Sequence, residues 1–231
     1  FAAQAVMSGA MDVVIAAGGG SMTRVPMGMP MVLPAKNGLG FYVSPNMQKR
    51  YPGVEFSQFI GAEMVAKKYD LSKAQIDAYA LLSHQRAIAA TQAGRFEREI
   101  VPVQVRNAEG PQDAQHTVDE GIRFEASLEG IAGVKLIQEG GRLTAASASQ
   151  ICDGASGVMV VNGRGLKALG VKPLARVHHM TVLGHDPVIM LEAPIPATLK
   201  ALKKAGMNIA DIDAYEVNEA FGSVPLAWLQ A

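Results

Sequence analysis

Residues 13–20 are Val13-Val14-Ile15-Ala16-Ala17-Gly18-Gly19-Gly20, a short apolar run that ends in three glycines. A run of this length is typical of a buried strand, and the glycines predict a turn by which the chain leaves the sheet. A second buried strand is predicted at residues 158–161, which are Val-Met-Val-Val. Between them a helix pattern starts at Ser72, where Gln75 can complete a capping box, and stops at Gly94. Strand and helix patterns that alternate in this way predict an α/β protein.

Weaker patterns predict three more strands and one more helix, at 101–105, 174–182, 214–217 and 196–204. Residues 21–58 contain five prolines and several glycines, so we expect little regular structure there. Residues 107–115 are polar and are predicted to be a surface loop. No internal repeat is present.

The bulk composition excludes several classes of protein. Twenty-one basic residues balance 21 acidic ones, so charge gives no reason to expect nucleic acid or an anionic membrane as the partner. No apolar run reaches the roughly 20 residues that a membrane-spanning helix needs. Cys152 is the single cysteine, which excludes an internal disulfide and favours a reducing compartment, the cytoplasm.

Few residues carry an obvious chemical signature. The sequence has no CxxC pair, HExxH motif, P-loop or GxSxG elbow, and we expect no bound metal. His178 and His179 lie in a strand pattern, where neighbours point to opposite faces, so a structural role is favoured. Nothing near Cys152 would lower the pKa of its thiol, which predicts a small buried hydrophobe rather than a nucleophile.

Asn218 follows a predicted strand and allows two interpretations. A polar residue at the carboxyl end of a strand lies where α/β folds bind ligands, and an Asn there can hold a water or donate to an oxyanion. Asn is also a preferred helix N-cap, and spacing alone favours the cap. The hydroxyls of Ser147 and Ser149 similarly indicate a polar loop and, by themselves, no function.

Several segments resemble motifs of the thiolase family and follow one another in the family's order: 61–66 with the helix to Gly94, 144–155, 194–197 and 217–221. The resemblance implies the thiolase fold, in which two α/β halves stack into five αβαβα layers and a loop domain is inserted in the first half. It divides the chain into the late part of the first half (1–20), the loop domain (21–147), the remainder of the first half (148–170) and the start of the second half (171–231).

Compared with the family, we expect this chain to be a central portion that is incomplete at both ends. The nucleophilic cysteine of thiolases precedes the helix pattern that opens this chain, and the family's His and second Cys follow the equivalent of Ala231. Cys152 occupies neither position. We therefore expect residues 1–231 alone to have no thiolase activity, and to be part of a longer polypeptide or completed by another chain.

The resemblance assigns roles to four residues. Asn218 is similar to the Asn that holds a catalytic water in the oxyanion hole for the thioester carbonyl. Ser149 is similar to the Ser that bonds the pantetheine arm of CoA, and Arg123 lies where the family often has a basic contact to the nucleotide end. Met190 is similar to a Met near the acyl pocket. CoA is then a substrate, and no cofactor is implied.

The implied function is acyl transfer between 3-ketoacyl-CoA and CoA, in the cleaving or the condensing direction, through an acylated cysteine outside this chain. Ser57-Gln58 and Leu191-Glu192-Ala193 look closer to degradative thiolases of lipid β-oxidation that accept bulky acyl groups, including steroid side chains. A homodimer or homotetramer is expected. The alternatives are a non-catalytic CoA-binding or structural protein of the same fold, and an α/β subunit whose partner supplies the site.

Overall fold

A computed structural model describes all 231 residues of the chain. The helices are α1 (Ala2–Met7), α2 (Met29–Lys36), α3 (Pro45–Arg50), α4 (Gln58–Lys68), α5 (Lys73–Gln92), α6 (Leu128–Ala132), α7 (Gly163–Leu169), α8 (Pro194–Ala205) and α9 (Ser223–Gln230). The strands are β1 (Val13–Gly20), β2 (Val103–Asn107), β3 (Gly110–His116) and β4 (Gly154–Val161). Short 3-10 turns lie at Ala145–Ser147 and Ile209–Asp211. None of the helices has the length and hydropathy that crossing a membrane requires.

The chain divides into two compact units, and each is described by itself. The first unit is Phe1–Glu55, Ile151–Gly184 and Ile195–Tyr215. The second unit is Phe56–Gln150, His185–Pro194 and Glu216–Ala231.

A two-stranded antiparallel sheet of β1 and β4 organises the first unit. Its register runs without interruption from Val13 opposite Val161 to Gly20 opposite Gly154. Both strands are confirmed, but the predicted glycine turn is wrong. Gly18–Gly20 continue β1, because the glycines pair through their backbone with β4. The predicted burial is also wrong, because most positions of β1 and β4 are exposed. The helices α1 and α7 pack against the two strands, and these short helices do not cover both faces of the sheet.

Asp12 fixes the junction between this sheet and α7. Its carboxylate accepts hydrogen bonds from Asn162 Nδ2 (2.6 Å) and Arg164 Nη2 (2.7 Å). The Arg164 hydrogen bond is the main cause that lowers the pKa of Asp12 below its usual value. Asn162 also caps α7, accepting from the backbone N–H of Arg164 and Gly165. A Cβ at Gly165 would lie 2.5 Å from the Asp12 carbonyl oxygen, so the close approach requires glycine.

The core lies in the second unit, where α4 packs against α9. Its buried members come from both helices and from the segments between them: Ala62, Val65, Ala66, Leu71, Ile76, Leu143, Phe221, Val224 and Ala227. The Ser223 hydroxyl donates to the Ala62 carbonyl oxygen across this interface at 3.1 Å, which satisfies a buried polar group. The start of α9 is therefore held against the middle of α4.

The long helix α5 begins as the sequence predicts. Ser72 accepts from the backbone N–H of Gln75, and the Gln75 side chain accepts in return from the Ser72 N–H. Gly94 follows α5 with φ +66°, a left-handed conformation that favours glycine. Ile76 and Ala80 of the predicted apolar stripe are buried.

Several other predictions need correction. Residues 174–182 and 214–217 form no strand, because neither segment pairs with another strand. The predicted loop at 107–115 is mostly β3, the antiparallel partner of β2 in a hairpin whose exposed faces permit polar residues. The irregular region 21–58 contains α2 and α3. The helix closed by Gly206 is confirmed as α8.

Two predictions about single residues also fail. Cys152 is exposed rather than buried, because it lies in the irregular segment before β4 that the core does not cover. His178 and His179 lie in an exposed irregular segment, so the opposite-face argument, which needs a strand, does not apply.

A buried carboxylate that the sequence does not reveal holds the turn before the 3-10 helix. Glu63 is only 3% exposed, and its Oε1 accepts from the backbone N–H groups of Arg142 and Leu143, both at 2.8 Å. The Arg142 guanidinium in turn donates to the carbonyl oxygens of Ala66 (3.0 Å) and Leu71 (2.7 Å), which lie at and beyond the end of α4. Residues 141–144 are thereby attached to α4.

Replacing Glu63 tests this attachment. Glu63→Ala leaves two buried N–H groups without an acceptor, so we expect the free energy of unfolding to fall by about 2–4 kcal/mol. Glu63→Gln keeps an acceptor oxygen and should lose less than Glu63→Ala. The measurement is urea-induced unfolding of the protein as encoded. The control is Met64→Ala, at a partly exposed neighbouring position, and equal losses in Glu63→Ala and Met64→Ala would contradict the assignment.

Candidate active site

The candidate site is built on a short antiparallel pairing in the second unit. Ala148 and Phe221 form an isolated β-bridge. Ser149 donates its backbone N–H to the Ala220 carbonyl oxygen at 2.9 Å, and Gly222 donates to the Ser147 carbonyl oxygen at 2.8 Å. Two predicted segments, 147–149 and 218–221, are therefore brought together although about 70 residues separate them along the chain.

Phe221 anchors this pairing in the core. The side chain is 4% exposed and contacts Phe59 edge to face, with ring centroids 5.4 Å apart. Ser147 is also buried, and its hydroxyl accepts from the backbone N–H of Thr144. The buried side chains of Phe221 and Ser147 thus hold the backbone of the site against the core. The side chains of Ser149 and Asn218 are exposed.

Glu219, the neighbour of Asn218, is bound by α5. Its Oε1 accepts from the Tyr79 hydroxyl, and its Oε2 accepts from the Ser83 hydroxyl at 2.7 Å. Burial, followed by the hydrogen bond to Glu219, raises the pKa of Tyr79, so the phenol stays protonated and donates. Because Tyr79 and Ser83 are four residues apart, they lie on one face of α5.

Arg123 is connected to the same helix. Its backbone N–H donates to Nδ1 of His84 at 3.3 Å. Two residues earlier, the Gly121 carbonyl oxygen accepts from the side-chain amide of Gln150. Together with the pairing above, these contacts form a closed ring, the site ring, which runs through Glu219, Ser83, His84, Arg123, Gly121, Gln150, Ser149 and Ala220.

The site ring contains Ser149 and Arg123, and Asn218 immediately precedes its member Glu219 in the chain. Asn218, Ser149 and Arg123 are all exposed, so their side chains are open to a ligand. The N-cap interpretation of Asn218 is wrong, because α9 begins after Gly222 and Gly222 is its cap. The arrangement offers an amide, a hydroxyl and a guanidinium, which suit a carbonyl oxygen, an amide-rich chain and a phosphate respectively.

Met190 belongs to a different part of the second unit. It is half-buried, has φ +30° and lies in the segment 185–193, which crosses α4 at Gly61. A Cβ at Gly61 would lie 2.9 Å from the Ile189 carbonyl oxygen and 3.3 Å from Met190 Cγ. A larger residue at position 61 would collide with the backbone of segment 185–193. Glycine at position 61 therefore allows Met190 to lie this close to α4.

Glu192 attaches the same segment to the end of α4. The side chain is 8% exposed and contacts Lys68 Nζ (2.5 Å), the Tyr69 hydroxyl (2.7 Å) and His185 Nε2 (3.1 Å). Burial alone would raise the pKa of Glu192, but the hydrogen bonds of its three neighbours outweigh burial and lower the pKa from 4.5 to about 2. Burial, with the neighbouring carboxylate, raises the pKa of Tyr69 to about 12, so Tyr69 is the donor.

Sequence reasoning missed Glu219, Tyr79, Ser83, His84 and Glu192. A signal existed for one pair: Tyr79 and Ser83 put hydroxyls at helical spacing inside a stripe of otherwise small apolar residues. Glu192 likewise interrupts an apolar run. Neither signal identifies the distant partner, because Glu219 lies 140 residues from Tyr79 and Tyr69 lies 123 residues from Glu192.

The Glu192 contacts predict a component of stability that depends on pH. The pKa of Glu192 is lower in the folded protein than its ordinary value of 4.5, so its contribution is present above about pH 4.5 and is lost as the pH falls toward 2. We expect the difference in unfolding free energy between wild type and Glu192→Gln to shrink over that range. Urea unfolding at a series of pH values measures it. The control is Glu125→Gln, which removes an exposed carboxylate of the same unit, and an equal shrinkage there would contradict the assignment.

Comparisons with known proteins identify the family of this chain. A family model described as the N-terminal domain of thiolase matches residues 1–164, and the model of the C-terminal domain matches residues 171–231. A Mycobacterium tuberculosis protein named steroid 3-ketoacyl-CoA thiolase is 47% identical over 100% of this chain and 55% of its own length. A 3-ketoacyl-CoA thiolase of Psychrobacter is 39% identical over 83% of this chain and 50% of its own length.

Solved structures give the same result for the fold. Human mitochondrial 3-ketoacyl-CoA thiolase superposes with a TM-score of 0.80 at 32% identity, covering 98% of this chain and 58% of that one. An acetyl-CoA acetyltransferase of Syntrophomonas wolfei gives 0.79 at 32% identity, covering 98% and 57%. The chain spans about half the length of the relatives it matches. Family models cover nearly all of its residues, and we conclude that the chain belongs to the thiolase family of acyltransferases and has the thiolase α/β fold.

Proposed function

We propose that the protein carrying this chain is a degradative thiolase, which uses CoA to cleave 3-ketoacyl-CoA. The C2–C3 bond of the substrate breaks, the acyl group passes to a cysteine sulfur outside residues 1–231, and acetyl-CoA leaves after its C2 takes a proton. The CoA thiol then accepts the acyl group, giving an acyl-CoA shortened by two carbons. A covalent thioester intermediate divides one difficult step into two easier ones.

The observation that carries this proposal is the antiparallel pairing between the segments of Ser149 and Asn218. One thioester substrate must contact both a group that binds its pantetheine arm and a group that stabilises charge on its carbonyl oxygen. In this proposal Ser149 supplies the first contact. Asn218 holds a water that donates to the thioester oxygen as negative charge develops there. Arg123 contacts the nucleotide end of CoA through its guanidinium.

A bulky acyl group is the proposed substrate class, including a steroid side chain. The relative that is 47% identical is named a steroid 3-ketoacyl-CoA thiolase. Met190 next to Gly61 would contribute to the acyl pocket, and Gly61 sets the position of Met190. We further propose a cytoplasmic homodimer or homotetramer that acts in lipid β-oxidation.

The direct test is turnover by the protein as encoded. The protein is incubated with CoA and with 3-ketoacyl-CoA esters of short, long and steroid side chains, and acyl-CoA products are measured by mass spectrometry. Formation of acetyl-CoA and the shortened acyl-CoA supports the proposal. Binding of CoA without cleavage of any ester would contradict it and favour the non-catalytic CoA-binding alternative.

Two substitutions separate the proposed roles. Asn218→Ala should lower kcat about 100- to 1,000-fold with little change in the KM for CoA, because oxyanion stabilisation acts in the transition state. Ser149→Ala should raise the KM for CoA about five-fold, the value of about one hydrogen bond. Steady-state kinetics with varied CoA measure both. Asn46→Ala, at an exposed position of α3, is the control, and an unchanged kcat in Asn218→Ala would contradict the role of Asn218.

A further inference from the structure

We propose that Glu219 is a positioning residue for Asn218, and that Tyr79 and Ser83 of α5 act through it. This inference rests on the proposed function, because Asn218 has a task there only if the protein is a thiolase. Glu219 would touch neither substrate nor reacting atoms.

Regular secondary structure does not place Asn218. Residues 216–220 lie in no helix or strand, and the backbone first becomes paired at the bridge formed by Phe221. Consecutive Cα atoms are about 3.8 Å apart, so whatever fixes Glu219 also limits the position of Asn218. On one side of Asn218 this restraint is the Glu219 side chain together with the Ala220 carbonyl oxygen bonded by Ser149.

The two hydroxyls hold both oxygens of the carboxylate. Each oxygen has its own donor, Tyr79 for Oε1 and Ser83 for Oε2. A single hydrogen bond would let the carboxyl group rotate, whereas two donors on one rigid helix fix its plane. Hydrogen bonds from a hydroxyl to an ionised carboxylate are short and roughly twice as strong as neutral ones.

The backbone after Glu219 is packed directly on the same helix. A Cβ at Gly222 would lie 3.2 Å from Ile76 Cγ2 and 3.5 Å from Tyr79 Cδ1. Ile76 is buried in the core, so this face of α5 does not move independently of it. Because Tyr79 and Ser83 both lie on α5, each oxygen of the Glu219 carboxylate is bound to the same helix.

The functional consequence follows from the sensitivity of catalysis to geometry. A displacement of about 1 Å in a group that stabilises the transition state can cost about 100-fold in rate. Removing one donor or the acceptor frees residues 216–220 to shift, and the water held by Asn218 shifts with them. The effect should appear mainly in kcat, since the side chains of Ser149 and Arg123, which would contact CoA, make no hydrogen bond to Glu219, Tyr79 or Ser83.

The test is steady-state kinetics and thermal unfolding of the protein as encoded. Three variants, Glu219→Gln, Tyr79→Phe and Ser83→Ala, should each lower kcat about 10- to 100-fold. The KM for CoA should change less than about two-fold, which is below the roughly five-fold change expected if a hydrogen bond to CoA were lost. Combining Glu219→Gln with Asn218→Ala should add little beyond Asn218→Ala, because both act on one group. Ser83→Thr keeps a hydroxyl and should lose less kcat than Ser83→Ala. The charge-matched control is Glu125→Gln, at an exposed position of the same unit.

The outcomes separate this inference from the proposed function. If wild type does not cleave any 3-ketoacyl-CoA, the proposed function fails and the positioning role fails with it. If wild type is active and the Glu219→Gln, Tyr79→Phe and Ser83→Ala variants keep its kcat, the positioning role alone is overturned. Should Glu219→Gln unfold, the two hydroxyl variants decide in the same way. A lower unfolding temperature with kcat and KM unchanged would show a purely structural contact and also overturn the inference.

Discussion

The reciprocal hydrogen bonds between Ser149 and Ala220 and between Gly222 and Ser147 determine the geometry of the candidate site. They join a segment that follows the 3-10 turn to the segment that enters α9. Without them, 147–149 and 218–221 would not be paired with each other. The pairing is only one bridge long, so its persistence depends on the packing beneath it rather than on an extended ladder.

That packing comes from residues on either side of the bridge. Phe221 inserts into the core between α4 and α9 and contacts Phe59, while the buried Ser147 satisfies the backbone of Thr144. Glu63 attaches the preceding turn to α4. Hydrogen bonds to the buried side chains of Ser147 and Glu63 thus hold the backbone, while the side chains of Ser149, Arg123 and Asn218 are exposed. This separation allows the site side chains to be substituted at small cost in stability.

Local patterns in the sequence predicted local features well. The capping box of Ser72 and Gln75 and the glycine that closes α8 follow from residues within a few positions of one another. Features that depend on partners far away in the chain were missed or wrong. Residues 214–217 have strand composition but no strand to pair with, and β3 is too polar to be recognised without its partner β2. Cys152 has a buried residue type but lies outside the core.

Resemblance to the thiolase family identified the segments of the candidate site, but it did not identify the residues that bind those segments to the rest of the fold. The pattern around Asn218 includes Glu219, yet its two donors lie about 140 residues earlier, in a helix whose stripe looked merely small and apolar. Periodicity describes which face of α5 is buried and does not specify which segment meets that face. The contacts of Glu192 with Lys68 and Tyr69 were not predicted for the same reason, since both residues lie more than 120 residues earlier in the chain.

Hydrogen–deuterium exchange of individual backbone amides, followed by NMR in the protein as encoded, tests the pairing most directly. The account predicts that the amides of Ser149 and Gly222 exchange far more slowly than those of residues 216–219, because the first two donate to carbonyl oxygens above a packed core. Exchange of Ser149 and Gly222 at the same rate as residues 216–219 would contradict the pairing and, with it, the site built upon it.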